Sequence, residues 1–173
     1  MTRSAKVVGV IPPPLPDPPV DAAEKVMLLA FLDWYRDAMV RKLSGLERAE
    51  ATRRWVGSQT TLLGMVKHLT SVETWWFRSV LLGENELGPD ERGDHEFVVG
   101  DEESVEDIVR GYLAACGRSR DAVADAPLEA HALRSSHAQY TLRWIVVHMI
   151  EETARHAGQA DILRELTDGA SGD

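Results

Sequence analysis

Glu152 and His156 stand four residues apart within Thr141 to Leu166 (TLRWIVVHMIEETARHAGQADILREL), a stretch with no proline and a single glycine, Gly158. Four residues make about one helical turn, so the two side chains point the same way, roughly 6 Å apart along the axis. Counted in alternating steps of three and four, the inner seam of this helix reads Leu142, Ile145, Met149, Glu152, His156, Gln159, Leu163 and Leu166. Its ends are apolar and its middle is not. A carboxylate at a core position is costly to bury unless something pairs with it, and a divalent metal ion is one such partner. A third ligand is available in His68, which lies on the apolar stripe of another segment. Alone, His68 would read as an ordinary core histidine. Together with Glu152 and His156 it makes a three-ligand set with coordination positions left open, the mark of catalytic rather than structural sites. The competing reading pairs Glu152 with an interior arginine and hydrogen-bonds His156 to Tyr35 or Gln159.

The remaining reactive side chains carry less. His148, Glu152 and His156 are successive i, i+4 neighbours, but 100° per residue sets 148 and 156 about 80° apart around the axis. His148 is therefore expected beside the site, forming a pocket wall with Gln159 and Tyr35, and no catalytic residue is assigned. Cys116 falls on a core stripe, where an unreactive buried thiol is the expectation. His95, His131 and His137 fall in expected loops. Trp75, Trp76 and Phe77 follow one another, so one helix can bury only some of them. No phosphate-binding glycine-rich loop and no GxSxG elbow is present.

Four long helices must position these residues. The first is expected from an Asp21 cap to near Gly45, with Leu28, Leu32, Tyr35, Met39, Leu43 and Leu46 inward and Asp33, Arg36 and Arg41 between them. After a polar linker over 47–59, broken by Trp55 and Val56, the second runs from Thr60 to Leu82. Thr60 or Thr61 caps it, Gly83 ends it, and Leu62, Met65, Leu69, Val72 and Trp76 form its stripe. The acidic stretch 83–103 is long enough for a lid or pocket rim. The third helix spans 105–125 behind a capping box at Ser104–Asp107, with the stripe Val105, Ile108, Tyr112, Cys116, Ser119 and Val123. The Thr141–Leu166 helix is the fourth. Thr61-Leu62 precedes His68 as Thr141-Leu142 precedes His148, so the second and fourth helices begin alike. With no strand-like alternation, the fold class is all-α, a four-helix bundle.

Composition sets the outer bounds. A chain of 173 residues, 44% hydrophobic and 27% charged, fits one soluble domain. Residues 1–20, with PPPLPDPP, are expected as a proline-rich arm lying along the domain, 21–168 as the bundle and 169–173 as a frayed end. No apolar run reaches the roughly 18 residues of a membrane span, and no signal-peptide pattern opens the chain, so a cytoplasmic location is expected. One cysteine excludes an internal disulfide. A net charge of −9 and the absence of a dense basic cluster argue against nucleic-acid or anionic-membrane partners.

TLLGMVKHLTSVETWWF and YTLRWIVVHMIEETARHAGQADILRE resemble the DinB-like superfamily, which includes mycothiol-using transferases, and the likeness extends over about 21–168. That resemblance implies an up-down-down-up bundle. It also implies one divalent metal, with zinc or nickel expected, on His68, Glu152 and His156. Many members carry histidine at the position of Glu152, whereas the mycothiol-dependent maleylpyruvate isomerase type carries glutamate. Glu152 thus directs the analogy to mycothiol enzymes. The implied activity is S-transfer or isomerisation in which the metal activates a small-molecule thiol towards an electrophilic substrate, in a monomer or homodimer. A thiol of pKa near 8.5 is mostly protonated at neutral pH, and a divalent cation favours its ionised form. With Cys116 in the core, that thiol must come from a cosubstrate. Two alternatives remain open. Two histidines and a carboxylate are also the ligand set of non-haem iron oxygenases, and the metal could simply stiffen a non-catalytic bundle.

Overall fold

A computed structural model of the chain describes residues 11–84 and 96–171. His95, much of the 83–103 stretch and the first half of the proline-rich arm lie outside the described residues. The protein is all-helical: α1 (Glu24–Arg41), the single-turn α2 (Arg48–Ala51), α3 (Leu62–Glu73), a π-helical segment (Thr74–Leu81), α4 (Val105–Val123) and α5 (Leu142–Asp168). Among the described residues the one β feature is an isolated bridge between His131 and Thr141.

The helix starts follow local chemistry. Thr61 caps α3 by accepting from the Gly64 N–H, and Thr141 caps α5 by accepting from the Trp144 N–H. The two helices that begin alike in sequence are thus capped alike. Ser104 caps α4 through the Asp107 N–H, and Gly83 takes a left-handed φ of 71° just past the π segment. Asp21 does not cap α1. That helix begins after Ala23 without any side-chain cap bond.

Helix α5 packs along α1, and α3 packs along α4. The core has two lobes. One gathers Met39, Leu43, Met65, Leu69, Tyr112 and Leu163 around the start of α3 and the end of α5. The other gathers Leu32, Phe77, Val80, Val123, Ile145 and Met149 at the opposite end. The α4 stripe is buried throughout, as its spacing predicts. The proline-rich segment touches the helices where Ile11 packs on the first lobe and the Leu15 N–H donates to Asp37, 3.3 Å away.

Three features depart from the sequence expectation. Thr74–Leu81 is π-helical rather than a continuation of α3. Its wider turns accommodate the consecutive Trp75, Trp76 and Phe77, of which only Phe77 is fully buried. Arg36 does not sit on the polar face of α1. It is buried, and Nε and Nη2 make a two-pronged bond to the buried Glu73 at 2.7 and 2.5 Å. The α5 seam also rotates. Its buried line runs through Ile145, Met149, Thr153, His156, Ala157, Ala160 and Leu163, while Gln159 and Leu166 are exposed. A straight α-helix drifts about 20° per heptad against a strict 3.5-residue repeat. Over three heptads that drift carries the later seam positions out of the core, and Glu152 comes to rest at its edge.

Candidate metal centre

His68 from α3 and Glu152 and His156 from α5 converge where the two helices face each other. One ligand-type atom from each lies within 4.8 Å of the others. The geometry is directional. His156 Nε2 is 3.1 Å and His68 Nε2 3.5 Å from the same carboxylate oxygen, Glu152 Oε1. The two imidazole rings meet edge to face with centroids 5.1 Å apart. All three side chains are largely buried, with 10 to 15% of each exposed.

The far side of each ring is held by an acceptor. His68 Nδ1 is 2.9 Å from Glu96 Oε2, and His156 Nδ1 is 3.1 Å from Gln159 Oε1. A carboxylate and an amide oxygen can only accept, so each Nδ1 carries a proton and donates it. In its neutral form each ring therefore turns a bare Nε2 lone pair towards Glu152 Oε1. Two lone pairs and a carboxylate oxygen facing one another demand positive charge between them. That charge is supplied either by protons on the rings or by a cation among the three atoms, and the donor set fits a divalent metal. In the first case, with Nε2 of both rings protonated, the hydrogen bonds from His156 and then His68 hold the Glu152 carboxyl well below the usual carboxylate range. The exposed Arg155 adds an outer contact, Nη1 to Glu152 Oε2 at 3.2 Å. The interior arginine of the competing reading is thus not the partner of Glu152; the arginine that is buried, Arg36, belongs to Glu73.

Glu96 and Phe97 are the residues against His68 that sequence reasoning passed over. The segment carrying them is fastened to α3 and α2. Lys67 Nζ donates to the Val98 carbonyl and to Glu103, and Arg48 donates to the Gly100 and Glu103 carbonyls. Phe97 stacks on the His68 ring with centroids 4.3 Å apart. Glu96 is buried at 6% exposure although it leaves a stretch crowded with acids. Its one sequence signal is its place directly before the apolar Phe97-Val98-Val99.

The expected pocket residues separate. Gln159 is at the site through His156. His148 lies one turn before Glu152 and belongs to an aromatic cluster, stacked on Trp144 at 5.1 Å and edge-on to Trp76 at 4.7 Å. Tyr35 meets Trp34 edge to face, 5.1 Å away, and His156 takes Gln159 rather than Tyr35 as its partner. His131 is exposed and bonded to the Ala138 carbonyl, while His137 joins Trp75, Trp76 and Tyr140. Cys116 is fully buried, and burial pushes its thiol up to about 12.

An all-helical protein with a histidine–glutamate–histidine cluster between two helices is the class that fold and site define. Within that class, a family profile described as Mycothiol-S-transferase matches residues 27–169, and the chain belongs to that family. No curated protein matches it. Family membership relates the chain to transferases that use the small-molecule thiol mycothiol. No helix among the described residues is long and apolar enough to cross a membrane.

Proposed function

We propose that this chain is a divalent-metal-dependent transferase or isomerase. In this reading His68, Glu152 and His156 hold one zinc or nickel ion, and mycothiol is activated there for attack on an electrophilic substrate. The observation that carries the reading is the convergence of both Nε2 atoms on Glu152 Oε1, with each Nδ1 committed elsewhere. A divalent ion at this point supplies Lewis acidity, which lowers the pKa of a thiol bound to it.

The chain's own residues have separate tasks. Glu96 and Gln159 accept the Nδ1 protons, fixing the tautomer and direction of both rings. Among the three ligands Glu152 alone is anionic, so a dipositive ion held by them keeps positive charge for an anionic sulfur. Phe97 covers one face of His68 and excludes water from it. Cys116, buried and protonated, is removed from the chemistry, which leaves the nucleophilic sulfur to the cosubstrate. The catalytic unit in this reading is the up-down-down-up four-helix bundle of residues 21–168, with the 1–20 arm and the 169–173 tail outside it. It works in the cytoplasm on small molecules, without nucleic-acid or membrane partners, as a monomer or homodimer.

Metal analysis of untagged protein, followed by cobalt substitution and mycothiol addition, tests the reading. One metal per chain and a sulfur-to-cobalt charge-transfer band are expected. Stoichiometric metal with no spectral response to any small thiol would instead assign the ion a purely stabilising role.

A further inference from the structure

Around the bundle α1 packs on α5, α5 on α3 and α3 on α4. The ring closes between α4 and α1, where the packing is looser and a cleft of about 210 Å³ opens. This cleft lies across the bundle from the cluster between α3 and α5, and shares no lining residue with it.

Its frame is braced. Arg120 Nε donates to both carboxylate oxygens of Asp33 at 3.0 Å, closing a bridge over the mouth. Lys25 Nζ donates to the Ala124 and Ala126 carbonyls at 2.8 Å, which ties the start of α1 to the end of α4. Leu29, Phe77 and Val123 form apolar walls. A space already ordered in this way costs little entropy to fill.

The buried end is polar and incompletely satisfied. Ser119 is 1% exposed, and its hydroxyl has no hydrogen-bond partner among the described residues. The buried Arg36 lines the same end. A guanidinium has five N–H groups. Arg36 gives one each from Nε and Nη2 to Glu73 and one from Nη1 to Asp33, which leaves two. Donors left unpaired in an interior are costly, so the cleft favours an occupant with an oxygen acceptor.

Charge and size narrow the occupant further. Arg36 and Arg120 are balanced by Asp33 and Glu73, so a charged molecule would carry uncompensated charge into a poorly solvated space. The volume equals that of about seven water molecules in the liquid, which is the size of a single ring with a short substituent.

We propose that the α1–α4 cleft is a second small-molecule site, for an uncharged compound of single-ring size. Its hydrocarbon body lies against Leu29, Phe77 and Val123, and its carbonyl-type oxygen accepts from Ser119 and Arg36. The site requires neither the metal nor the thiol.

The test titrates isotope-labelled protein with acetophenone and with α-methylstyrene, followed by NMR. The second probe has the same shape with a methylene in place of the carbonyl oxygen. Acetophenone is expected to shift the backbone amides of Asp33, Phe77, Ser119 and Val123 with a dissociation constant of about 1 mM or below, as ligand efficiencies for so small a molecule imply. α-Methylstyrene should bind about tenfold more weakly or worse, because the donors stay unpaired. Ser119→Ala should remove most of that difference while fold and metal content stay at the parent's level, since Ser119 has no partner to lose. Leu29→Trp, which fills the cleft from a half-buried position, should abolish the acetophenone shifts. A parent unmoved by acetophenone up to its solubility limit would leave the cleft to water alone and overturn the site. Equal binding of the two probes, or full discrimination between them in Ser119→Ala, would overturn recognition through the polar floor. Shifts that persist in Leu29→Trp would place the probe elsewhere and overturn the site as well.

Discussion

The Phe97 carbonyl lies so close over Gly64 that any side chain there would collide with it. A Cβ at Gly64 would also come within 2.9 Å of Thr61 Oγ1. The absence of a side chain in the first turn of α3 is what lets the 96–103 segment descend far enough for Glu96 to reach His68. Gly64→Ala is therefore expected to cost about 1–3 kcal/mol in denaturant unfolding, the usual penalty for overpacking a tight contact. The same variant should weaken metal binding several-fold in chelator competition although Gly64 touches no ligand. Glu96→Gln, which keeps the shape and loses the charge, should weaken it about 10- to 100-fold. If Gly64→Ala retained full metal affinity, the descent of the segment would have no bearing on the cluster.

The ligand assignment itself is tested on α5. His156→Ala and Glu152→Gln should each strip or severely weaken the metal, while helical circular dichroism stays near the parent because Met149, Ala160 and Leu163 still bury the helix. His148→Ala should keep its metal, since the ring stacks on Trp144 and Trp76 rather than facing Glu152. A change in substrate affinity or turnover is its expected effect. Metal loss from His148→Ala with retention in Glu152→Gln would move the centre by one helical turn.

The cluster was legible in sequence because helical spacing alone brings Glu152 over His156, and an apolar stripe marks where His68 must point. The α4 stripe was legible for the same reason. What was hidden depends on contacts between distant segments. Nothing local tells Glu96 apart from the other acids of its stretch, since its role is defined by a histidine 28 residues earlier. Arg36 likewise looks solvent-facing until Glu73 is placed opposite it. The π segment leaves no periodic trace, because a run of bulky aromatics satisfies helical and π spacing alike. The position of Gln159 failed differently: a 3.5-residue count drifts against a straight helix, yet the residue still reached the site through His156.

The Arg36–Glu73 pair predicts a large stability effect far from the cluster. Burial alone would lower the Arg36 pKa, but the adjacent Glu73 carboxylate outweighs it and keeps the guanidinium charged. Glu73→Ala leaves that charge in the core with Asp33 as its remaining carboxylate partner, Nη1 to Oδ1 at 2.8 Å. A loss of about 3–5 kcal/mol is expected, towards the lower figure because of Asp33. The double variant Arg36→Met/Glu73→Leu should recover most of it, since neither charge is then buried. A Glu73→Ala loss under about 1 kcal/mol would mean that water reaches the guanidinium.

Cys116 gives a prediction in which stability and chemistry agree. Burial first, and the Glu73 carboxylate second, push its thiol up to about 12, above the usual thiol range. Only the thiolate attacks disulfides or alkylating agents, so the native protein should resist a thiol-reactive disulfide reagent at pH 8. Full reaction should appear in denaturant. The folded-state pKa is the raised one, so the stabilising contribution is fully present below the unfolded value of roughly 8.5. It is lost as pH rises from there towards 12, because the unfolded chain sheds its proton while the native chain keeps it. Cys116→Ala should accordingly flatten the alkaline limb of the stability curve, and it should leave the requirement for an added thiol unchanged. Rapid stoichiometric labelling of native protein, or abolished thiol transfer in Cys116→Ala with intact metal content, would place the reactive sulfur in the chain instead of the cosubstrate.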